Sequence, residues 1–196
     1  MPSPMLHTTA GYVVYRIYRD RLPQSFVINV WKIPKLLMIT LIFSMLPDMD
    51  SVFGILSGNF ARYHNNATHS LIVGLLVALV AGGIAAMFST ISFRLIFLVT
   101  FLSYAGHVLL DFFTISRGVM ALWPLSWERF ASPLPLFYGL HWSDGIISIR
   151  HIWTFLTESA TAALFILAIR YLTSWSWRGE DPGGETRRVT GASEER

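Results

Sequence analysis

Apolar residues run through this chain in long blocks, not in the alternating or every-third-position patterns of a soluble fold. Residues Leu71–Phe88 form eighteen successive positions without a charged or hydroxyl side chain. At 1.5 Å per residue such a helix nearly crosses a hydrocarbon core of roughly 30 Å, which predicts a spanning helix. The block 95–113 is as apolar but carries His107 and Asp111 toward its end, and the block 152–169 is broken only by hydroxyls and Glu158. Both read as spanning helices with polar positions kept for function. The block 36–46 is only eleven residues long. Adding 26–31 lengthens it, but Lys32, Pro34 and Lys35 interrupt the run and leave open whether it crosses fully. Residues 8–19 predict a short first helix. The expected fold is therefore all-α, a polytopic membrane bundle of about four to five helices.

What lies between the blocks refines this. The start, Met-Pro-Ser-Pro-Met-Leu-His, lacks the basic residues and long apolar stretch of a cleavable signal, so it is expected to remain. The connection 114–150 is rich in Trp, Phe, Pro and Leu, and should lie at the membrane interface or cap something. From Trp175 the chain turns polar and Gly-rich, which divides it into a membrane domain over 1–174 and a disordered tail over 175–196. Gly74, Ala78, Gly82 and Ala86 make a stripe of small residues, read as a packing face.

Composition narrows the chemistry. The chain is 53% hydrophobic and 14% charged, which excludes disorder and argues against a soluble domain. With no cysteine, disulfides, thiolate nucleophiles and sulfur-ligated metals are excluded, so any metal is held by nitrogen and oxygen. The net charge of +3 comes from basic residues scattered beside apolar runs, a pattern of membrane flanking with no nucleic-acid partner.

Antiparallel threading brings the polar residues together. If helix 8–19 leaves one end of the bundle, helix 36–46 returns to it, helix 71–88 leaves and helix 95–113 returns. His7, Asp48, Asp50, His64, His69, His107, Asp111 and His151 then fall at that one end. His107 and Asp111 are four apart and share a helical face. Pro47 is expected to place Asp48 and Asp50 in a loop, where both can point together. His64 and His69, five apart, suit a loop followed by a first helical turn. Glu158 lies about two turns beyond His151 on the same face, and an ionisable group at that depth is a functional candidate. Singly, a histidine at a helix end is an interfacial hydrogen-bonder and an Asp after Pro ends a helix; His141 is left with that ordinary role. Jointly, so many ionisable groups beside hydrocarbon would be costly without a metal. The candidate ligands are His7, Asp50, His64, His69, His107, Asp111 and Glu158, and Asp48 is the candidate catalytic residue. Histidine with carboxylate suits one or two divalent ions, zinc first, with Mn or Fe as alternatives.

These residues, with the runs Leu46-Pro47-Asp48-Met49-Asp50, Thr68-His69-Ser70, His107-Val108-Leu109-Leu110-Asp111 and Leu122-Trp123-Pro124, resemble the membrane-bound, metal-dependent hydrolase family, whose LexA-regulated members lie in the inner membrane. The resemblance covers roughly residues 5–170. That family usually carries Arg-Gly where Asn65-Asn66 stand here, so no basic substrate clamp is carried over to position 65. It is in turn similar, in the order of its ligands, to zinc-dependent phospholipase C and related single-strand nucleases. The similarity implies one metal on His69, His107 and Asp111, and a second on His7 and a bridging Asp111. It also implies that Asp48 orients or deprotonates the attacking water, with His151 and Glu158 as the counterpart of a further late-helix pair.

The leading expectation is a membrane-bound hydrolase of phosphoester bonds in a lipid-like substrate, using metal-activated water. The alternative is a metal-ion or proton-coupled transporter, although such proteins place their polar groups at the midplane between repeats, and no repeat is visible here. A scaffold with a structural metal is the third reading. Serine hydrolase chemistry lacks its G-x-S-x-G motif. Arg16, Arg19, Arg21, Lys32, Lys35, Arg94, Arg170 and Arg178 fall at the end away from the site, against Arg62, Arg117, Arg129 and Arg150 beside it. The positive-inside rule then puts the site outside and the C-terminal tail in the cytoplasm.

Overall fold

A computed structural model of the chain describes residues 2–19, 27–28, 33–58, 64–88, 91–140 and 148–176. Helix α1 (Pro4–Tyr18) begins after an extended Ser3, with Pro4 in the first turn, where its missing N–H leaves nothing unsatisfied. It therefore starts earlier than the expected 8–19 and takes His7 inside the helix. At 15 residues it is shorter than a span of about 20 requires. Two short strands, β1 (Val27–Ile28) and β2 (Ile33–Pro34), pair antiparallel at the end away from the site. They do not alter the all-α character.

Helix α2 (Lys35–Met45) does not stop at Pro47. A 3-10 turn over Leu46–Met49 continues it directly into α3 (Asp50–Leu56). The expectation of a loop here is corrected: Pro47 lies at the start of the 3-10 turn, where no donor is needed, so the chain keeps helical geometry through both aspartates. As a result Lys35–Gly54 forms a 20-residue apolar run, and the segment that looked half-length is long and apolar enough to cross. A 3-10 turn over Ala67–His69 leads into α4 (Leu71–Phe88), followed by α5 (Phe93–Phe112) and α6 (Ile149–Ser176). Including Lys35–Gly54, the described residues hold 4 helical runs able to cross a membrane by length and composition. Helix α6 exceeds the expected 152–169, takes His151 into its first turn, and extends to 175–176 of the expected tail. Residues 177–196 and His141 lie outside the described residues.

Helices α1, α2 and α5 pack against one another, α4 lies on α5, and α6 lies on α1. The interior is built on Val14, Leu36 and Val99 at one level and on Tyr104, Val108 and Val119 nearer the site. Buried hydroxyls bond back to their own helices, Thr40 to Leu37 O at 3.0 Å, Ser44 to Leu41 O at 2.9 Å and Ser103 to Val99 O at 2.7 Å. None of these three is thereby left bare in an apolar interior, whereas the buried Thr100 Oγ1 has no partner among the described residues. Large side chains such as Leu76, Val80, Leu164 and Leu172 stay exposed along α4 and α6, as lipid-facing positions should. Gly74, Ala78 and Gly82 are buried against α5. Ala86, the fourth member of the stripe, is exposed.

Candidate metal centre

Four segments converge at one end of the bundle. Helix α1 supplies His7, the 3-10 turn after α2 supplies Asp48, the approach to α4 supplies His64 and His69, and the last turns of α5 supply His107 and Asp111. His7, Asp48, His107 and Asp111 each offer one atom within 4.8 Å of the others, and so do Asp48, His64 and His69. Asp48 belongs to both sets. All six are buried or nearly so, His7, His69, His107 and Asp111 completely.

His107 Nε2 and His69 Nε2 lie 3.2 Å apart within hydrogen-bond reach, but the short contacts of the Asp48 and Asp111 carboxylates are not hydrogen bonds. Asp111 Oδ2 lies 3.0 Å from His69 Nε2 and 3.2 Å from His107 Nε2, yet neither oxygen of Asp111 accepts a hydrogen bond. Asp48 Oδ1 lies 3.5 Å from both His69 Nε2 and His107 Nε2, and Oδ2 lies 3.8 Å from His7 Nε2. Both Asp48 oxygens and both His7 nitrogens also lack hydrogen-bond partners. Orphaned carboxylates in an apolar interior are unfavourable, and lone pairs aimed at a common point are what a cation requires. The donor set therefore fits a divalent ion.

The outer ring nitrogens are held in the way that metal-ligating histidines are held. His107 Nδ1 lies 2.7 Å from Ser44 O; a carbonyl only accepts, so Nδ1 carries the proton and Nε2 turns its lone pair into the cluster. Asp50 stands behind two histidines, with Oδ1 at 3.1 Å from His64 Nδ1 and Oδ2 at 3.3 Å from His69 Nδ1. Thr68 Oγ1 donates to Asp50 Oδ2 at 2.6 Å and fixes the carboxylate. Thr68 escaped the sequence reading as a participant; its place immediately before His69 was the available signal. The His7 and His107 rings stack at 3.6 Å.

Two histidines outside the spans differ in their affinity for protons. Burial, reinforced by His107, holds the His7 imidazole down to about 3, so it is neutral and available to an ion. Burial also opposes protonation of His69, but the three carboxylates beside it, Asp111, Asp48 and Asp50, outweigh burial and carry its pKa well above the ordinary value.

The remaining expected residues, Asp50 among them, fall outside both ligand sets. Glu158 is fully buried, and its Oε2 accepts from the Ser3 backbone N–H at 2.7 Å, at the entry to α1. His151 is half-buried in the first turn of α6, outside both sets. The segment 114–140 closes over the site end, as its apolar composition suggested. Thr114 bridges to Phe137 and Val119 to Phe130, while Ser70 Oγ donates to Trp123 O at 2.6 Å.

The family model for YdjM inner membrane proteins matches residues 1–180. Inner membrane protein YbcI of Escherichia coli (strain K12) is 36% identical over 104 residues, which cover 51% of this chain and 60% of the relative. The chain thus spans about three fifths of the length of that curated relative. No solved structure matches. Matched over most of its length, and with four apolar helical runs long enough to cross a bilayer, the chain belongs to the YdjM family of integral inner membrane proteins.

Proposed function

We propose that the protein is a membrane-bound, metal-dependent hydrolase acting on phosphoester bonds of a lipid-like substrate. One observation carries this reading: Asp48 and Asp111 are buried, accept no hydrogen bonds, and converge with histidine nitrogens from α1, the approach to α4 and α5. His7, His107 and Asp111 would hold one ion and His64 and His69 a second, with Asp48 shared. Zinc suits this nitrogen and oxygen set, with Mn or Fe as alternatives. When bound, such an ion lowers the pKa of water and neutralises charge on a reacting phosphoryl group. The chain's own residues hold the donors in place: Ser44 O fixes the His107 tautomer, and Asp50 with Thr68 fixes His69. The resemblance to phospholipase C-like enzymes supports the reaction class, and the position of the cluster at the end of the spans supports a substrate drawn from the bilayer. The excess of basic residues at the opposite end supports an outward-facing site and a cytoplasmic C-terminus. A C-terminal reporter active only outside the cytoplasm should then be silent, and activity would reverse the orientation.

The test of function compares hydrolysis of a generic phosphodiester by metal-loaded protein, chelated protein and the Asp48→Asn variant in the same detergent. Chelation should abolish turnover and readdition restore it. If Asp48 serves the water as the resemblance implies, Asp48→Asn keeps its metal and slows turnover by about 10²–10⁴-fold. If Asp48 is the shared ligand, metal and turnover fall together. Turnover indifferent to chelation would remove the hydrolase reading.

A further inference from the structure

Beside the metal centre, two exposed arginines reach from the capping segment to the loop that carries His64. Arg117 Nη2 donates to His64 O and, at 3.4 Å, to Asn66 Oδ1. Arg129 Nη1 donates to Asn65 O at 2.9 Å and Gly118 O at 3.1 Å, and its Nη2 donates to Asn66 Oδ1. None of these partners is a carboxylate. Each guanidinium has five N–H donors, and the described bonds of Arg117 all leave from Nη2. Two neighbouring cations therefore keep their charge and part of their donor capacity. Arg129, Asn66, Trp123 and Trp127 line a pocket of about 490 Å³. The two indoles meet edge to face at 6.2 Å, and Trp127 is 74% exposed, as suits the membrane interface.

The same stretch of chain lines a second cavity. Val119, Ala121 and Leu122 close one end of a groove of about 670 Å³ on the outer face of α5, while their neighbours Met120 and Trp123 line the arginine pocket. The groove follows α5 from Leu102 to Phe112, with Val14 and Ile17 of α1 along it, and its walls are apolar. An apolar channel along a span thus adjoins a cationic pocket at the end of that span.

We propose that this pair of cavities binds one phosphate-bearing membrane lipid, with the phosphoryl group on Arg129 in its pocket, the neighbouring Arg117 adding positive charge, and a hydrocarbon chain in the α5 groove. The assignment rests on the hydrolase reading only in making this lipid the substrate. Charge complementarity selects the phosphoryl group, and continuity through 119–123 selects a headgroup joined to a chain over free phosphate.

The test measures binding by metal-free protein in neutral detergent, using dioleoylphosphatidic acid, dioleoylglycerol and inorganic phosphate as probes and native mass spectrometry as the readout. Phosphatidic acid should bind about tenfold tighter than dioleoylglycerol, and phosphate alone weakly. Arg129→Gln should remove about tenfold from phosphatidic acid and leave dioleoylglycerol unchanged. Arg129 also pins the His64 loop, so Ala105→Phe, which fills the groove away from that loop, provides a second variant; it should weaken both lipids and leave phosphate unchanged. Equal affinity for the two lipids, phosphate as tight as phosphatidic acid, or both variants binding phosphatidic acid like the parent would overturn the proposal. Lipid binding without phosphodiester hydrolysis would overturn the hydrolase reading alone. Hydrolysis of a soluble phosphodiester without preference for phosphatidic acid would overturn the lipid site alone.

Discussion

His69 joins three carboxylates in the cluster, with Asp111 at 3.0 Å, Asp50 at 3.3 Å and Asp48 at 3.5 Å. In the ion-free protein these strengthen its hold on a proton, whereas burial keeps His7 neutral. A cation entering the site must displace the His69 proton, so uptake releases a proton and apparent affinity rises with pH up to the raised pKa of His69, by up to about tenfold per unit. The sign follows from the raised pKa: below it the proton competes, above it competition ends. Calorimetry of zinc binding in two buffers of different ionisation enthalpy should register this proton, and buffer-independent heats would show that His69 enters unprotonated. At this scale the sequence was informative where spacing alone suffices, as for His107 and Asp111 on one helical face. It was silent on Ser44 O, because a backbone carbonyl leaves no mark in composition. It placed Arg117 and Arg129 at the site end but was silent on their bonds to the His64 loop, which lies more than fifty positions away in sequence.

Between elements, close approach decides how the ligands align. A Cβ on Gly74 would meet Tyr104 Cδ1 at 2.5 Å, and Tyr104 OH donates to Thr68 O, the residue that fixes Asp50. The small face of α4 thus seats the tyrosine that braces the histidine-bearing turn. Gly74→Ala should destabilise the protein by about 1–3 kcal/mol in detergent thermal unfolding and weaken metal retention, because the ring must shift. Gly83→Ala, with nothing within 4 Å of its added Cβ, should be neutral, and equal effects of the two would refute the close-packing account. The apolar block Leu71–Phe88 was legible to the residue because nothing polar interrupts it. The run Lys35–Gly54 was not, since a proline and two aspartates read as a loop when a 3-10 turn carries the helix through them. The close approach of Gly11 to Thr40 O, 2.6 Å from a Cβ that is not there, had no periodic stripe to announce it.

In the whole molecule, helices of alternating direction gather at one end what the sequence spreads from His7 to Asp111, and the segment 114–140 covers that end. Threading alone could place these residues at one end, since it needs only direction and length. It could not distinguish ligands from supports, which depends on side-chain angles. Glu158, expected near the site, instead ties α6 to the start of α1 through Ser3. The central claim is that the convergent carboxylates and imidazoles hold a divalent metal. Elemental analysis by plasma mass spectrometry of protein purified in detergent without chelator, beside the Asp111→Asn variant, tests it most directly. The account predicts one or two equivalents of zinc, manganese or iron in the parent and about tenfold less or lower in Asp111→Asn, with the variant still inserted and folded. Parent protein that neither copurifies with nor takes up a transition metal at neutral pH would contradict it.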